Sequence, residues 1–447
     1  MSESRTWSRN PDNGRRESLV NRDLFGPFRR LNASRVFFFV YLCALFGHQL
    51  GTGFDALFVR GSFFVYFFVS LLTVIVRTIK DGESNRLLSP FLVWLLVFWF
   101  WAYVSVFWAA NNSYVFYPAY INNVAQILVV SVLVVADVRG RDDVIVYLKM
   151  LLFANLYSEA LLFANTPASA WGTERVGEAI GVQFNLLGMR TAVAAFISLF
   201  LFWETRNVLY LVLIAPSALV SFFSGSRKAF LILVASVTLF MIFVNRGFRA
   251  VRNILIVCVV LFAVYLLVMT NEDLYYVLGR RLENLFSYVF GEGTTETSSL
   301  EREFYRNYAQ QMWEQSPVVG WGFNQFAAQM LAINYPHVAY SHCNYWELLS
   351  CLGIIGFLLY YGFYLYLAKR LMRKASRKDP LVLFALVLFA VLVVMEYGFV
   401  AFVGIDEYVY LLVIFLIGGI NETSSSSERS NAKHRTLVVG RVAAEKR

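Results

Sequence analysis

The sequence predicts an all-α polytopic membrane protein with about twelve transmembrane helices. Hydrophobic residues make up 58% of the 447 residues and charged residues only 15%. Soluble domains contain about 45–50% apolar and about 25% charged residues, so this chain departs from them in both respects. The apolar residues are concentrated in blocks of roughly twenty, the length that a helix needs to cross the hydrocarbon layer. Helices satisfy their backbone polar groups internally, which makes them the only open-ended structure that spans lipid.

The apolar blocks divide the chain into three predicted regions. A basic N-terminal segment (1–34) precedes a transmembrane domain (35–420), and a Ser-rich, charged tail (421–447) follows it. The composition of the tail is typical of disorder. The twelve predicted spans fall at roughly 35–50, 57–78, 88–109, 119–136, 143–164, 182–203, 206–223, 228–245, 252–270, 345–368, 381–400 and 405–420.

The positions of the basic residues predict the orientation of these spans. Every second loop is rich in Arg or Lys, which is the signature of cytoplasmic loops. Both termini are then cytoplasmic, and the polar loop 271–342 is extracytoplasmic. The net charge of +9 belongs to this pattern, so we do not expect a nucleic-acid partner. The basic residues concerned are Arg15, Arg16, Arg22, Arg29, Arg30 and Arg35; Arg77, Lys80 and Arg86; Arg139 and Arg141; Arg206; Arg246, Arg249 and Arg252; and Lys369, Arg370, Arg373, Lys374, Arg377 and Lys378.

The loop 271–342 is long enough to carry structure of its own, and we expect short helices within it. Ser298 and Glu301 form a capping-box pattern, and Pro317 ends the helix that they begin. Arg302 and Arg306 are four residues apart, so they share a face of this helix. An apolar stripe is predicted on the same helix, formed by Leu300, Phe304, Tyr308 and Met312.

Several cations break the charge bias on the predicted outer side. Arginine binds phosphate through two parallel hydrogen bonds, so a group of them favours an external cavity for a diphosphate. The alternative for each residue is an ion pair with a nearby acid or contact with lipid headgroups. A charge inside an apolar span is costly and usually faces a polar cavity or a partner. The candidates are Arg175, Arg227, Lys228, Arg302 and Arg306, with Arg190 inside an apolar block.

His342 is the candidate catalytic residue. It precedes an apolar block directly, and Asn344 and Glu347 follow it. Histidine titrates near neutral pH and can act as a general base. The alternatives are a histidine satisfied at the membrane interface, and for Glu347 an acid that interacts favourably with a helix N-terminus. No metal-binding spacing accompanies His342, so neither a metal nor a cofactor is expected.

Four stretches together resemble the O-antigen ligase and O-antigen polymerase superfamily. RVGEAIGVQFN is similar to that family's Arg-x-x-Gly turn before an Asn-containing span, and SGSRK to its Ser-Arg at the start of another span. Arg302 precedes a Pro-x-x-Gly-x-Gly turn by fifteen residues, and HCNYWELLSCLGIIGF is similar to the family's His-containing helix start. The matches span residues 175–356. The position after the histidine is commonly Asn in the family, whereas here it is Cys343 and Asn344 is next.

The resemblance implies a GT-C-like, metal-independent, inverting glycosyltransferase of the bacterial inner membrane with an extracytoplasmic active site. Its donor would be a glycan on undecaprenyl diphosphate, and its acceptor a glycan or a lipid-linked glycan. His342 would act as base, and the candidate cations, with Asn344 and Glu347, would bind substrate. Partner proteins implied by such a pathway are a chain-length regulator and a flippase, alongside membrane lipids.

Three functions remain open from the sequence. A polymerase of O-antigen, capsule or exopolysaccharide repeats is favoured slightly by the run NYWELLSCLGIIGF. An O-antigen ligase would use the same site but transfer the glycan to lipid A-core. A glycolipid transporter or flippase belongs to another class, and the sequence shows no paired half-repeats of the kind that transporters contain.

Overall fold

A computed structural model describes most of the chain. The described residues are 32–48, 56–81, 89–167, 176, 183–245, 247–280, 283, 297–336, 338–375 and 379–420. Within these ranges all regular structure is helical and no strand is present. The predicted segment 1–34 lies outside them except for its last three residues, and the predicted tail 421–447 lies outside them entirely.

The helices are α1 (Ala33–His48), α2 (Ala56–Asp81), α3 (Pro90–Val104), α4 (Asn112–Val115), α5 (Pro118–Asp137), α6 (Arg141–Asn165), α7 (Phe184–Thr205), α8 (Val208–Val212), α9 (Ile214–Phe223), α10 (Arg227–Val244), α11 (Phe248–Thr270), α12 (Glu272–Leu274), α13 (Thr297–Gln315), α14 (Gln325–Ala332), α15 (Asn344–Ala375), α16 (Pro380–Met395) and α17 (Ile405–Gly419), with a 3₁₀ turn at Ser105–Phe107 and a π-helical turn at Tyr275–Gly279.

Capping residues define where the apolar helices begin. Ser89 accepts a hydrogen bond from the amide of Leu92 at the start of α3, and Asp379 accepts one from the amide of Leu381 at the start of α16. In both helices proline occupies the first turn, where its missing N–H is not needed. Ser226 caps α10 in the same way by accepting from Ala229. Short polar side chains before each apolar block therefore fix the helix starts.

Eight helices in the described ranges are long and apolar enough to cross a membrane. The four remaining predicted spans are also helical but shorter, so every predicted apolar block forms helix. The all-helical, multi-pass class is therefore confirmed, whereas twelve complete spans and a GT-C-like arrangement stay predictions. The eight are Ala56–Ile79, Pro90–Phe107, Asn112–Asp137, Arg141–Asn165, Phe184–Thr205, Arg227–Val244, Ala250–Thr270 and Asn344–Ala375.

Helix α7 lies at the centre of the bundle and α11 at its periphery. Every residue of α7 from Leu187 to Leu201 is buried. By contrast, α11 exposes most of its apolar side chains, among them Leu255 and Phe262. Exposed apolar surface of this extent on a span is what lipid would cover. The first turn of α7 precedes this buried stretch, and its residues Asn185 and Leu186 line the candidate site.

A buried ion-pair network joins helices at one end of the bundle. The Arg35 guanidinium contacts Asp137 at 2.5 Å and Asp143 at 2.9 Å, and Arg77 contacts Asp137 at 2.8 Å. These residues lie at the start of α1, near the end of α2, at the end of α5 and at the start of α6. Four helix ends predicted to be cytoplasmic therefore meet in one charge-balanced cluster.

A second cluster at this end centres on Arg141. Its guanidinium contacts Glu204 at 3.0 Å and Asp379 at 2.6 Å. Asp379 follows the end of α15 by four residues, so the first residue of α15, Asn344, lies at the opposite end of the bundle. The two ion-pair clusters thus lie at one end of the bundle and the His342 region at the other, and the length of α15 separates them. Which end faces the cytoplasm stays a prediction.

The helix predicted in the long loop is α13, but its buried face differs from the prediction. The stripe residues Leu300 and Phe304 are 52% and 42% exposed, whereas Tyr305 and Ala309 are buried. The predicted stripe is therefore wrong over its first two positions. Residues 302, 305, 306 and 309 share one face of a helix, so the arginines at 302 and 306 lie on the side that packs inward.

The glycine turn after α13 packs against the backbone of α15. The amide of Gly322 donates to the carbonyl of Cys351 at 2.7 Å. Helix α15 is kinked at Gly353, whose φ of +65° lies in the left-handed region that side chains disfavour. A methyl group at Gly353 would overlap the Val318 carbonyl oxygen, and one at Gly320 would lie 2.5 Å from the Cys351 carbonyl. The glycines thus permit contact between two backbones, which locks the loop onto the helix.

Candidate functional site

A cavity of about 240 Å³ lies at the end of the bundle opposite the ion-pair clusters. Its lining side chains lie at or just before the starts of several long helices, notably α5, α7, α10, α15 and α17. Helix N-termini carry partial positive charge and unpaired N–H groups, so their convergence favours a negatively charged ligand. The lining includes Tyr120, Asn185, Lys228, His342, Glu347 and Glu407.

His342 lies in the loop before α15 and lines this cavity. Its φ of +56° is left-handed, which is uncommon for a residue with a side chain. The imidazole lies against two tyrosine rings, with ring centroids 4.0 Å from Tyr340 and 5.7 Å from Tyr305. These rings restrict the orientation of the imidazole and shield one part of it from water.

Two hydrogen bonds hold the loop in this conformation, one accepted by the Glu347 carboxylate and one donated by the Ser341 hydroxyl. The Ser341 amide donates to the Glu347 carboxylate at 2.7 Å, and the Ser341 hydroxyl donates to the Cys343 carbonyl at 2.8 Å. Glu347 is 4% exposed and reaches the cavity, so it supports the loop from beneath. The predicted substrate ligand Glu347 thus has a hydrogen bond that positions the neighbouring His342.

Burial and nearby cations keep His342 neutral. Burial lowers its pKa, and the positive charges of Arg302, Lys228 and Arg306 lower it further, to about 3. The ordinary histidine pKa is about 6.5, so the imidazole is uncharged at neutral pH. The imidazole adds no charge of its own to the site, and it becomes an effective base only when a bound anion offsets the cations beside it.

Lys228 reaches the cavity from the first turn of α10. Its ammonium donates to the Gly398 carbonyl and lies 5.9 Å from the centre of the Phe399 ring. Arg227 precedes it and is half-buried. The predicted Ser-Arg-Lys turn therefore places a cation at the cavity, and this cation is held by a carbonyl and an aromatic face.

Arg302 and Arg306 approach His342 from α13. Both are half-buried, and the Arg306 guanidinium lies 5.4 Å from the centre of the Tyr397 ring. Their positive charges act on the His342 imidazole. The structure thus brings Lys228, His342 and the two loop arginines together, although they are up to 114 residues apart in sequence.

Two predicted substrate ligands occupy other positions. Arg190 is 3% exposed, donates to the Ser158 hydroxyl at 3.3 Å and lies over the Phe46 ring, away from the cavity lining. Asn344 is fully buried: its amide nitrogen donates to Glu396 and its amide oxygen accepts from Ala401. We therefore assign both side chains to the support of the site and not to its surface.

Arg175 and His337 lie outside the described residues. The neighbouring Val176 is described, and its amide donates to the Phe223 carbonyl at 3.0 Å. Phe223 ends α9, directly before the turn that carries Lys228. The chain at position 176 is therefore anchored beside that turn, and a substrate role for Arg175 stays a prediction.

Sequence reasoning missed several polar residues of the cavity. Glu407, Asn324, Gln183 and Tyr120 line it, but none was a predicted site residue. Glu407 sits in the first helical turn of an apolar block, where an acid is usually explained by the helix dipole alone. Only the folded arrangement distinguishes it from its neighbours.

Among the described residues no group of three His, Cys, Asp or Glu side chains could hold a metal ion.

A comparison with protein families identifies one match. Residues 209–361 match the family model described as O-antigen ligase. This stretch begins in α8 and ends within α15, and it contains Lys228, both loop arginines, His342 and Glu347. Tyr120, Asn185 and Glu407 lie outside it. A search of curated proteins finds no match.

Proposed function

We propose that this chain, which belongs to the O-antigen ligase and polymerase superfamily, polymerises undecaprenyl-diphosphate-linked oligosaccharide repeats at the cavity around His342. The family supports a membrane protein of the ligase and polymerase type, acting on lipid-linked glycans. The donor, the reaction and the roles of individual residues are our proposal, and so are the extracytoplasmic position of the cavity and the cytoplasmic position of both termini.

One observation carries this proposal: helix N-termini, Lys228 and one neutral imidazole converge on a single cavity, and the positive charges of Arg302 and Arg306 act on that imidazole. Helix dipoles, Lys228, Arg302 and Arg306 all favour a dense negative charge there. A diphosphate supplies such a charge, and its lipid tail would extend into the bilayer that surrounds the helices. We include Arg227 in the diphosphate site because it directly precedes Lys228 in the first turn of α10, and we include Arg175, which lies outside the described residues, because the sequence resemblance implies it.

The proposed reaction is a single displacement. The acceptor hydroxyl oxygen attacks the anomeric carbon of the donor sugar while the bond from that carbon to the diphosphate oxygen breaks. His342 takes the hydroxyl proton, and the cations stabilise the negative charge that grows on the leaving diphosphate. The attack comes from the face opposite the leaving group, so the configuration at the anomeric carbon is inverted.

A ligase is the second candidate because the matching family model bears that description. The two activities share donor, base and cations and differ in the acceptor. Supplying purified protein with labelled lipid-linked repeat, with or without lipid A-core, separates them. Products that lengthen without lipid A-core support the polymerase, and products that form only with it support the ligase.

The test of the proposed function is replacement of His342 by Ala, with His48→Ala as the matched control. His48 ends α1 and lines a different cavity. General-base catalysis contributes about 10²–10⁴-fold, so we expect His342→Ala to lose at least a hundredfold in chain extension while His48→Ala retains it. Glycan length is measured on gels from cells that express each variant at equal membrane abundance. Normal chain length with folded His342→Ala would refute the proposal.

A further inference from the structure

The connection between α16 and α17 holds two cations of the site. It comprises residues 396–404, its later part lines the cavity, and it lies outside the family match. Its Gly398 carbonyl accepts a hydrogen bond from the Lys228 ammonium. Its Tyr397 ring lies beside the Arg306 guanidinium, 5.4 Å from the ring centre. The positions of both cations therefore depend on where this connection lies.

Asn344 joins the α16–α17 connection to the loop that carries His342. Its side-chain oxygen accepts hydrogen bonds from the amides of Ala401 at 2.8 Å and Phe402 at 3.0 Å. Its own backbone amide donates to the Glu396 carbonyl at 2.8 Å. Asn344 follows His342 by two residues. One side chain therefore ties the proposed base to the segment that orients the cations.

The carboxyl group of Glu396 determines which way the Asn344 side chain points. Its Oε2 atom accepts from the Asn344 amide nitrogen at 3.0 Å and from the Tyr361 hydroxyl at 2.6 Å. The same amide nitrogen donates to the Tyr361 hydroxyl oxygen at 2.9 Å. All four hydrogen-bonding positions of the asparagine side chain are then filled. The reverse orientation would set its NH2 group against two backbone N–H groups.

Glu396 acts from behind the cavity wall. It is 2% exposed and is not among the described residues that line the cavity. Its Oε1 atom accepts from the Tyr364 hydroxyl at 2.6 Å, and Tyr364 is hydrogen-bonded to Tyr360. Its effect on Asn344 requires an acceptor oxygen but no particular charge, because a carboxylate, a carboxylic acid and a glutamine all offer one.

The backbone of His342 requires support from both sides. Its φ of +56° is left-handed, and such a conformation persists only where the surrounding structure enforces it. On one side the Ser341 amide is held by Glu347, and on the other Asn344 is held by the α16–α17 connection. Loss of the second support would let the loop relax away from the cations.

We propose that Glu396 is a positioning residue for glycosyl transfer: it orients Asn344, which holds the His342 loop and the α16–α17 connection in one fixed arrangement. This inference rests on the proposed function, because it treats His342 as the base of that reaction. It adds a residue outside the family match that couples the base to the cations without contacting substrate.

Two tyrosines of α15 form a matched pair for the test. The Tyr361 hydroxyl bonds to Glu396 and Asn344. The Tyr345 hydroxyl donates instead to the Val393 carbonyl of α16 at 2.6 Å, and the two tyrosine rings are stacked. Rates are measured with purified protein and labelled lipid-linked repeat, at a temperature where all variants are folded. We expect Tyr361→Phe to lower kcat about tenfold, the effect of one hydrogen bond, and Tyr345→Phe to leave it unchanged.

Glu396→Leu and Glu396→Gln test the carboxyl group itself. Leucine removes the acceptor, so kcat should fall about a hundredfold, the loss expected when reacting groups are displaced by about 1 Å. Glutamine can keep its oxygen towards Asn344 and turn its NH2 group to the Tyr364 hydroxyl, which then donates to Tyr360. Glu396→Gln should therefore retain kcat within about tenfold. The tyrosine pair decides the question where Glu396→Leu does not fold.

The pKa of His342 is the second readout, because a loss of stability alone would not change it. NMR of ¹³C-labelled histidine follows it in the substrate-free, full-length protein in nanodiscs, and His342→Gln assigns its signal among the four histidines. Burial and the cations lower this pKa to about 3. In Glu396→Leu and Tyr361→Phe the loop should separate from the cations, so the pKa should rise towards about 6.5. Tyr345→Phe and Glu396→Gln should keep it low. The charged and titratable groups around the imidazole are Lys228 of α10, Arg302 and Arg306 of α13, Tyr340 of its own loop, Glu347 of α15 and Glu407 of α17.

The inference requires both changes together. A fall in kcat with an unchanged pKa of His342 overturns it, and so does a raised pKa with normal kcat. Equal effects of Tyr361→Phe and Tyr345→Phe also overturn it. Normal transfer by His342→Gln refutes the proposed function, whereas transfer that depends on His342 but not on Glu396 refutes only the positioning role.

Discussion

The two ends of the helix bundle use positive charge in opposite ways. At one end Arg35, Arg77 and Arg141 each contact carboxylates within 3.0 Å. At the other end the Lys228 ammonium is held by a backbone carbonyl and the Arg306 guanidinium lies over a tyrosine ring. A carbonyl or a ring orients a cation without itself supplying a negative charge.

The difference indicates which end is built for stability and which for binding. Paired charges stabilise the helix ends, and because they cancel each other they produce only a weak electrostatic field that could attract a ligand. Cations held close together repel one another, so their grouping beside a cavity favours an anionic ligand there. At the cavity this field already acts on a protein group, because it lowers the pKa of His342. The contrast yields tests in which stability and activity should respond separately.

Breaking the paired end should give the largest change in stability. Arg35 is 3% exposed and bonded to Asp137, and removing one member of a buried pair costs about 3–5 kcal/mol. We expect Arg35→Met to lower the free energy of unfolding by about 3 kcal/mol, the low end of this range, because Arg77 still faces Asp137. Unfolding in detergent, followed by circular dichroism, measures this change.

Lys228→Met is the matched variant at the other end. Loss of the Lys228 ammonium should leave the melting temperature close to that of wild type. It should reduce chain extension about a hundredfold, as expected when one group that stabilises a developing anion is removed. Activity is compared at a temperature where Arg35→Met remains folded, and that variant should then retain its activity. Equal losses of stability in the two variants would contradict the distinction between the ends.

Backbone contacts hold the glycine turn against α15 at the cavity end, and Gly353→Ala tests this. The substitution forces a side chain into a left-handed conformation and against the Val318 carbonyl, at a cost of about 1–3 kcal/mol from the backbone alone. Gly362→Ala is the control on the same helix, since a methyl group there meets no neighbour. We expect a lower melting temperature and slower transfer for Gly353→Ala only. A Gly353→Ala protein that melts with wild type would show that the turn does not lock the loop.

Hydropathy predicted the helices well because lipid imposes a strong, local constraint on composition. Each apolar block is helical, and capping residues such as Ser89 and Ser226 mark the starts. The cluster of His342 with the loop arginines was also anticipated, because its members are charged residues out of place in apolar surroundings. Local patterns carried both predictions.

Residues whose role depends on packing were not predictable in the same way. Asn344 and Arg190 looked like ligands by type, yet hydrogen bonds or burial inside the bundle take them away from the cavity. Glu407 looked like an ordinary acid in a first turn, yet the fold places it in the cavity wall. The stripe predicted on α13 erred because a spacing of four residues fits two adjacent faces, and tertiary packing chose between them.

The pH dependence of catalysis should reveal the cations that act on His342. His342 must be neutral to accept a proton, and its neutral fraction falls as pH drops through its pKa. Because that pKa is about 3 in the unliganded site, His342 should cause no loss of kcat/KM between about pH 8 and 5. Bound diphosphate offsets the cations and raises the pKa towards about 6.5, so kcat should begin to fall at higher pH than kcat/KM. Steady-state rates across pH with a labelled donor measure both acid limbs, that is, the falls of kcat and of kcat/KM at low pH. Coincident acid limbs would show that the cations do not act on the base.

The smallest effect is expected where charge matters least, at Glu347. Its carboxylate accepts the Ser341 amide hydrogen bond, and a glutamine oxygen can accept the same bond. Glu347→Gln should therefore keep the loop conformation and lose less than about fivefold in kcat, since a charged acceptor strengthens such a bond by only about 1 kcal/mol. Glu347→Ala leaves the amide without its partner and should lose more. The acid limb of kcat/KM should stay in place in Glu347→Gln, because burial and the nearby cations set the pKa of His342. A shifted limb, or equal losses in the two variants, would mean that Glu347 acts on the reaction through its charge and not through the loop it holds.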